Sequence, residues 1–362
     1  MMNLPPTTRQ QKGLSLIELM IAMVVSLMTV LAATSVYLAT RQTQRSIETT
    51  STSLETGAFA MQLLGREIMN AGFYPANMAP IPPDVTQTGM YDTYPPLQSS
   101  PRASTDWMDT VNSWPPKAYQ TGLYGCENGL FAVKTATCPT AVTGTPDSIV
   151  VNYFTNDTMS NATGRRRDCT GANVDSDPSN ATRKLNTGTP PSSVNAKLPP
   201  QLPLFVSNRF SLRSATIEID KQQVTTKSLV CSGNGSTAFG ADDSAAYVAL
   251  LTGVEDMQFT YGVYSSTTGT LVPDRFYTAS EVEALSNVTV NGTAITPWQR
   301  VTAVRACLLT LTFAGGTRNA DKSGASRTYL DCTDTQKNQP VGKTYKRFVQ
   351  VFGVRNNLKS LY

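Results

Sequence analysis

Residues 14–38 read LSLIELMIAMVVSLMTVLAATSVYL. The stretch is 25 residues long, with one charge, Glu18, and neither glycine nor proline. A helix rising about 1.5 Å per residue over that length crosses a hydrocarbon layer of about 30 Å. Arg9 and Lys12 precede it, and the next charge after Glu18 is Arg41. Basic residues on the amino side keep residues 1–13 in the cytoplasm and send the remainder across the membrane. A cleaved secretory signal would place its small residues after the apolar run, whereas Leu31-Ala32-Ala33 lies inside it. A plain signal anchor has no use for Glu18. A carboxylate at that depth costs about 2.5–3.5 kcal/mol on insertion scales, so such a residue is expected to serve a function.

Downstream there is no proline between Leu14 and Tyr74. Ile47, Leu54, Met61 and Ile68 recur every seventh residue, with Thr50, Gly57 and Leu64 three places after the first three. That seam predicts an amphipathic helix over 39–74, with its apolar face packed on its own domain. Joined to 14–38, it predicts one helix of roughly 60 residues, ended by Gly72 and Pro75.

From Pro75 to Pro116 the chain holds nine prolines together with Trp107 and Trp114, which predicts an irregular excursion covering the head or presenting a binding surface. Strand patterns then appear at Ser148–Phe154, Ala215–Ile219 with Lys227–Cys231, Val301–Phe313 and Phe348–Val354. Tyr247–Tyr264 reads as two elements broken near Gly253. Residues 75–146 and 155–203 read as large irregular insertions. The expected class is α+β: a long amino-terminal helix packed on an antiparallel sheet within a head spanning 75–362.

Composition narrows the chemistry. The 362 residues include no histidine, which removes Ser-His-Asp and Cys-His catalysis and histidine metal sites. A net charge of +4 argues for neither nucleic acid nor anionic lipid as a main partner. Asp175 and Asp177, and Asp242 with Asp243, lack the pattern of a calcium loop. Arg165-Arg166-Arg167 is too short to argue for phosphate binding and reads as a solvated loop. The N-x-[ST] triplets at Asn156, Asn161, Asn180, Asn234, Asn287 and Asn291 are expected by chance in a chain so rich in these residues. No enzymatic activity, cofactor, catalytic residue or metal site is expected. Six cysteines, Cys126, Cys138, Cys169, Cys231, Cys307 and Cys332, form no C-x-x-C motif and in an exported head suggest disulfides. Six allow about 15 pairings, and sequence does not choose among them. Bridges between neighbours (Cys126–Cys138, Cys169–Cys231 and Cys307–Cys332) are the arrangement we adopt as an expectation.

The stretch Lys12-Gly13-Leu14-Ser15-Leu16-Ile17-Glu18 resembles the processing site of type IV prepilins. In that family a dedicated peptidase cuts after the glycine, methylates the new terminus and leaves glutamate fifth in the mature chain. The resemblance implies cleavage between Gly13 and Leu14, N-methylation of Leu14, and an assembly ion pair from Glu18 to an α-amine. Leu14 stands where many members carry phenylalanine. Gly253-Val254-Glu255-Asp256-Met257 with Tyr261-Gly262-Val263 resembles a stretch shared by PilW-type minor pilins and the J-type pseudopilins of type II secretion. Trp298, Val301–Leu309 and Arg347–Asn356 resemble the late strands of the PilW group, which the large insertions also favour.

The resemblance implies a pilin-like fold and a minor pilin that primes type IV pilus assembly at or near the filament tip, supporting twitching motility or adhesion. The alternatives are a minor pseudopilin and a tip adhesin or DNA-binding module. The implied partners are other minor pilins, the major pilin, the prepilin peptidase, the assembly platform, a tip adhesin and the inner membrane. The implied location is a bacterial inner membrane, single-pass with a periplasmic head, and the assembled extracellular pilus.

Overall fold

The computed structural model describes residues 15–73, 118, 121–132, 137–158, 167–172, 203–219, 222–235, 247–264, 272–290, 293–313, 327–340 and 343–356. Gly13, Leu14, Pro75, Trp107, Trp114, Arg165, Arg166, Asp175, Asp177, Asp242, Asp243, Asn161, Asn180 and Asn291 lie outside the described residues. The chain divides into two units, Met1–Ser51 and Thr52–Tyr362.

One helix, α1, runs Leu16–Asn70. Within the first unit its apolar part, Leu16–Arg41, has 26 residues, is long and apolar enough to cross a membrane, and buries none of them against protein. Its serine and threonine hydroxyls are satisfied within the helix. Ser26 and Ser35 donate to carbonyls three residues back, Thr34, Thr40 and Thr43 to carbonyls four back, and Thr29 to both Val25 and Ser26. An apolar span can therefore carry these polar side chains without needing partners from elsewhere.

In the second unit α1 buries one stripe: Ser53, Gly57, Ala60, Leu64, Glu67, Ile68 and Ala71. The predicted heptad seam holds from Gly57 onward, where Gly57 and Leu64 are buried as well. Met61 and Ile68 are buried, but Leu54 is 45% exposed and Ile47 64%. A seven-residue repeat drifts by about 20° per heptad on a straight helix, so the stripe and the seam diverge toward the amino end. The helix ends as the sequence predicts at Gly72, whose φ of 75° is the left-handed conformation open to glycine. The Asn356 amide caps it by donating to the carbonyls of Met69 and Ala71, both at 3.3 Å.

The rest of the unit is antiparallel sheet. One sheet orders β1 (Leu123–Cys126), β2 (Ser148–Thr158), β3 (Pro203–Ile219), β4 (Gln222–Gly233) and β5 (Val248–Thr252) side by side. A second has the order β13-β10-β6-β7, from β6 (Val254–Val263), β7 (Arg275–Tyr277), β10 (Val301–Phe313) and β13 (Lys343–Gly353). Between β7 and β10 come a short helix, α2 (Ala279–Ala284), and the hairpin β8 (Val288–Val290) and β9 (Thr293–Ile295). Another hairpin, β11 (Thr328–Leu330) and β12 (Gln336–Asn338), precedes β13. The expected single sheet is thus two, and Gly253 is the pivot between them. With φ 82° it separates β5 from β6, donates to the Lys227 carbonyl on β4 at 2.9 Å and accepts from the Leu311 amide on β10 at 2.8 Å. A correction also falls within 75–146, where β1 is a regular, fully buried strand.

α1 packs on the second sheet through matched notches. The Phe348 ring lies where a Cβ on Gly57 would sit, and the Phe352 ring where a Cβ on Gly65 would sit. Eight helical residues rise about 12 Å and four strand residues about 13 Å, so two glycines fit two phenylalanines. The register places Leu308 opposite Phe348 and Val304 opposite Phe352. At the near end the Ser53 and Thr310 hydroxyls meet in a buried hydrogen bond of 2.8 Å.

A prediction follows for Gly65→Ala. Alanine improves helix propensity by about 1 kcal/mol, but overpacking against Phe352 costs about 1–3 kcal/mol. The variant should unfold more easily than the parent full-length protein in detergent. On a Phe352→Ala background the same change should stabilise. Two substitutions whose effects simply add would show that ring and notch are not coupled.

Candidate functional site

The amino end of α1 is built by its own first turn. Ser15 occupies the capping position, and its carbonyl accepts from the Leu19 amide at 3.2 Å. Glu18 turns back toward the start of the helix, and its Oε2 accepts from the Ser15 backbone N–H at 3.0 Å. An acid in the first turn satisfies a donor that the helix leaves open and faces the positive end of the helix dipole. The carboxylate therefore lies against the residue that immediately follows Leu14. This is the one carboxylate in a span that next carries a charge at Arg41, which stacks on Tyr37 at 5.1 Å.

In the head the cysteines are joined as Cys126–Cys138, Cys169–Cys231 and Cys307–Cys332, with Cα separations of 5.3, 6.2 and 5.6 Å. Each bridge sits beside a carboxylate that gathers the turn it closes. Asp147 accepts from the amides of Asn128 and Phe259, both at 2.8 Å, tying the first disulfide loop to β6. Asp168 accepts from Thr170, Ala172 and Gly235 amides at 2.8, 3.1 and 2.8 Å, holding residues 167–172 against the end of β4. Asp331 accepts from the Thr333 and Thr335 amides at 2.9 Å each and pairs with Lys337 at 2.6 Å. Asp334, with φ 60°, bridges Arg347 at 2.6 Å and Arg305 at 3.8 Å, so the β11–β12 hairpin is fixed to the second sheet by a disulfide and two ion pairs.

Two of these carboxyls titrate abnormally, in opposite senses. Burial pushes the Asp147 carboxyl up to about 7, against the lowering effect of its two amide donors, with Glu127 and Asp256 adding to the rise. Burial also acts upward on Asp331, but Lys337 and the Thr333 and Thr335 donors outweigh it and hold that carboxyl at about 2.

Sequence reasoning singled out none of these acids, nor Glu67. Glu67 is buried on α1, accepting from Asn208 at 2.8 Å and from the Tyr153 hydroxyl at 3.4 Å, with Arg66 at 3.6 Å. It fastens the helix to the first sheet. Its only sequence signal is an acid at a stripe position of an amphipathic helix. Trp298, picked out by resemblance, is buried between Tyr124 and Tyr261 at centroid distances of 4.9 and 5.0 Å and donates to Glu283 at 2.8 Å. Among the described residues no group of three or more acids or cysteines could hold a metal ion. Among the described residues, cavities flank α1 on either side of its contacts. One of about 390 Å³ is lined by Arg66, Glu67, Asn70, Tyr153, Arg167 and Asp168. Another, of about 410 Å³, is lined mainly by apolar side chains of α1 and β13.

The family model described as type IV pilus-assembly protein W matches residues 217–356, and the prokaryotic N-terminal methylation motif matches residues 8–34. These two matches support a PilW-type minor pilin. The PilW match takes in all of the second sheet, the Cys307–Cys332 bridge and the terminal cap at Asn356. The methylation motif brackets Gly13, Leu14 and Glu18. Membrane anchoring and association with a type IV pilus go with that motif and with the apolar helix, and its partners belong to the pilus system. A type IV-like pilin from Thermus thermophilus is similar at 12% identity and a TM-score of 0.27, over 58% of this chain and 78% of that one. At so low a score the fold rests on its own helix and sheets. No curated protein sequence matches.

The Asp147 titration gives a testable sign. A folded-state value near 7 against an ordinary 3.8 means that this group favours the folded form most at low pH, and that the advantage is lost as pH rises from about 4 to 7. Between about pH 5 and pH 8 the thermal midpoint of the protein in detergent should fall, and Asp147→Asn should flatten that slope while lowering the midpoint throughout. Asp331 acts only below this window, since its contribution disappears as pH falls from about 4 toward 2. A slope unchanged by Asp147→Asn would place the titrating group elsewhere.

Proposed function

We propose that this PilW-type minor pilin is cut between Gly13 and Leu14, methylated on Leu14, and drawn into a type IV filament in which Glu18 pairs with an α-amine. One observation carries the reading. The Glu18 carboxylate folds back onto the Ser15 amide, inside the methylation motif and one residue from the expected new terminus. In a water-free filament core that carboxylate is costly alone and strongly directional when paired, so it registers one helix against its neighbour. In this reading the head is periplasmic before assembly. The protein primes the filament together with other minor pilins and stays near its tip, where twitching or adhesion depends on it. The prepilin peptidase, the assembly platform, the major pilin and a tip adhesin are the partners it implies.

The test separates processing from assembly. In a deletion strain complemented with the parent gene, sequencing of the membrane-extracted protein should begin at Leu14. Glu18→Val should be processed and retained in the membrane, because it removes a buried charge rather than adding one. Sheared surface pili should nevertheless fall by about tenfold, the cost of roughly 1.4 kcal/mol or more in subunit docking. Glu18→Asp should restore part of the count, since its shorter arm misplaces the carboxylate. A Glu18→Val strain with full piliation would overturn the ion pair. A deletion that leaves pili intact but blocks export of a secreted enzyme would move the protein to a secretion pseudopilus.

A further inference from the structure

β13 is the outermost strand of the second sheet, and among the described residues its outer edge is unpaired from Arg347 onward. The direction of its amides can be read residue by residue. Val354 donates to the Thr302 carbonyl on the β10 side, whereas Tyr345 donates to the Gln339 side chain and Lys343 to the Pro340 carbonyl, both away from β10. Even-numbered residues therefore face β10, and the odd-numbered Arg347, Val349 and Val351 direct their N–H and C=O groups outward. Among the described residues those three amides have no hydrogen-bond partner. A row of open backbone groups is a template for another strand unless it is blunted by proline, inward charge or a cover. Lys343, Lys346 and Arg347 charge the first half of the strand, but its second half is apolar and open: Val349 is 43% exposed and Val351 52%.

The ground beside this edge is apolar as well. The cavity of about 410 Å³ lies between β13 and the flank of α1, lined by Ala58, Met61 and Met69 on the helix and by Phe348, Val349 and Phe352 on the strand. Met69 is 43% exposed there. A strand laid along β13 would direct alternate side chains into this trough and the others past Val349 and Val351. The electrostatics select among strands. Residues 343–356 carry Lys343, Lys346, Arg347 and Arg355 and no acid. Asp334 pairs with Arg347 at 2.6 Å, and Lys346 and Arg355 stand toward the two ends of the edge.

We propose that the outer edge of β13, with the trough beside α1, is a docking site for an extended segment of a partner protein. That segment has apolar residues at alternate positions and acidic residues at its ends, and it extends the second sheet by one strand. The main-chain bonds supply affinity, the trough selects the alternating apolar residues, and the flanking cations select the acidic ends. The inference is independent of the processing and ion-pair reading, since no residue of the amino-terminal helix end takes part.

The probe is a blocked synthetic peptide, Asp-Val-Thr-Val-Thr-Val-Glu, added to the full-length protein in detergent, with amide hydrogen exchange as the readout. Exchange at Arg347, Val349 and Val351 should slow at least tenfold, and a peptide with lysine in place of both acids should bind at least fivefold more weakly. Val349→Pro removes one outward donor and none that β10 uses. It should abolish binding while the Lys346 and Thr310 amides keep their protection. Val351→Lys, which keeps the backbone and adds a charge on the apolar edge, should weaken binding as well. No protection at millimolar peptide would overturn the proposal, as would undiminished binding by Val349→Pro with an intact β10–β13 ladder. Protection of the same amides without peptide, rising with protein concentration, would assign the edge to a second copy of this chain and overturn the choice of partner.

Discussion

The head depends on a length match between a helix and a strand. Gly57 and Gly65 are two notches about 12 Å apart along α1, and Phe348 and Phe352 are two rings about 13 Å apart along β13. Each notch is filled by its ring, which leaves Phe352 buried and Phe348 half-buried against the helix. The match fixes the azimuth of α1, which decides the remaining helix contacts. With Gly57 and Gly65 turned toward β13, Leu64, Ile68 and Ala71 enter the common core, and Glu67 reaches Asn208 and Tyr153 on the first sheet. One helix thus binds two sheets, by apolar notches on one side and a buried carboxylate on the other. A buried carboxylate is costly unless its oxygens are met, so Glu67 narrows the allowed rotation further than apolar contact alone would.

The loops face a different problem, because they are poor in large apolar side chains. What holds them is a repeated device of one disulfide with one acid collecting backbone amides. Asp147 serves the Cys126–Cys138 loop, Asp168 the Cys169–Cys231 turn, and Asp331 with Asp334 the Cys307–Cys332 hairpin. A disulfide limits how far a loop can stray in the unfolded chain and leaves its local conformation open. The acid supplies the conformation by satisfying amides that a short irregular turn cannot pair. The acids are not equivalent. Asp147 is enclosed enough that burial dominates its titration, whereas Asp331 keeps a lysine partner and stays ionised.

How far the molecule could be read in advance follows from which signals are local. The end of α1 at Gly72, the break at Gly253 and the full extent of β10 are written in single residues or short runs, and all were legible. The heptad seam was legible from Gly57 onward but extended too far toward the amino end, because period seven and period 3.6 agree only over a few turns. β1 was hidden, since four residues beyond a proline-rich stretch carry too little pattern. The division into two sheets was hidden because it depends on which strands pair, not on which residues form strands. Of the acids, Glu18 alone announced itself, by standing in an otherwise uncharged span. Glu67, Asp147 and Asp168 look like any solvated acid until their donors arrive from positions 141, 112 and 67 residues away. Their meaning is tertiary.

The extent of the PilW match divides the head along the same physical line. Residues 217–356 contain every strand of the second sheet, and of the first only the end of β3 with β4 and β5. The second sheet carries Phe348 and Phe352, the two rings that α1 requires, and it also carries the open edge. An edge strand whose inward residues lock the helix cannot be buried, bent or broken by proline without loosening that lock, so the usual ways of blunting an edge are closed to β13 at Phe348 and Phe352. Only its outward positions are free to vary. In this chain those positions are two exposed valines beside an apolar trough, a choice that leaves the edge able to pair. The strand that organises the fold is therefore the strand best placed to meet another protein.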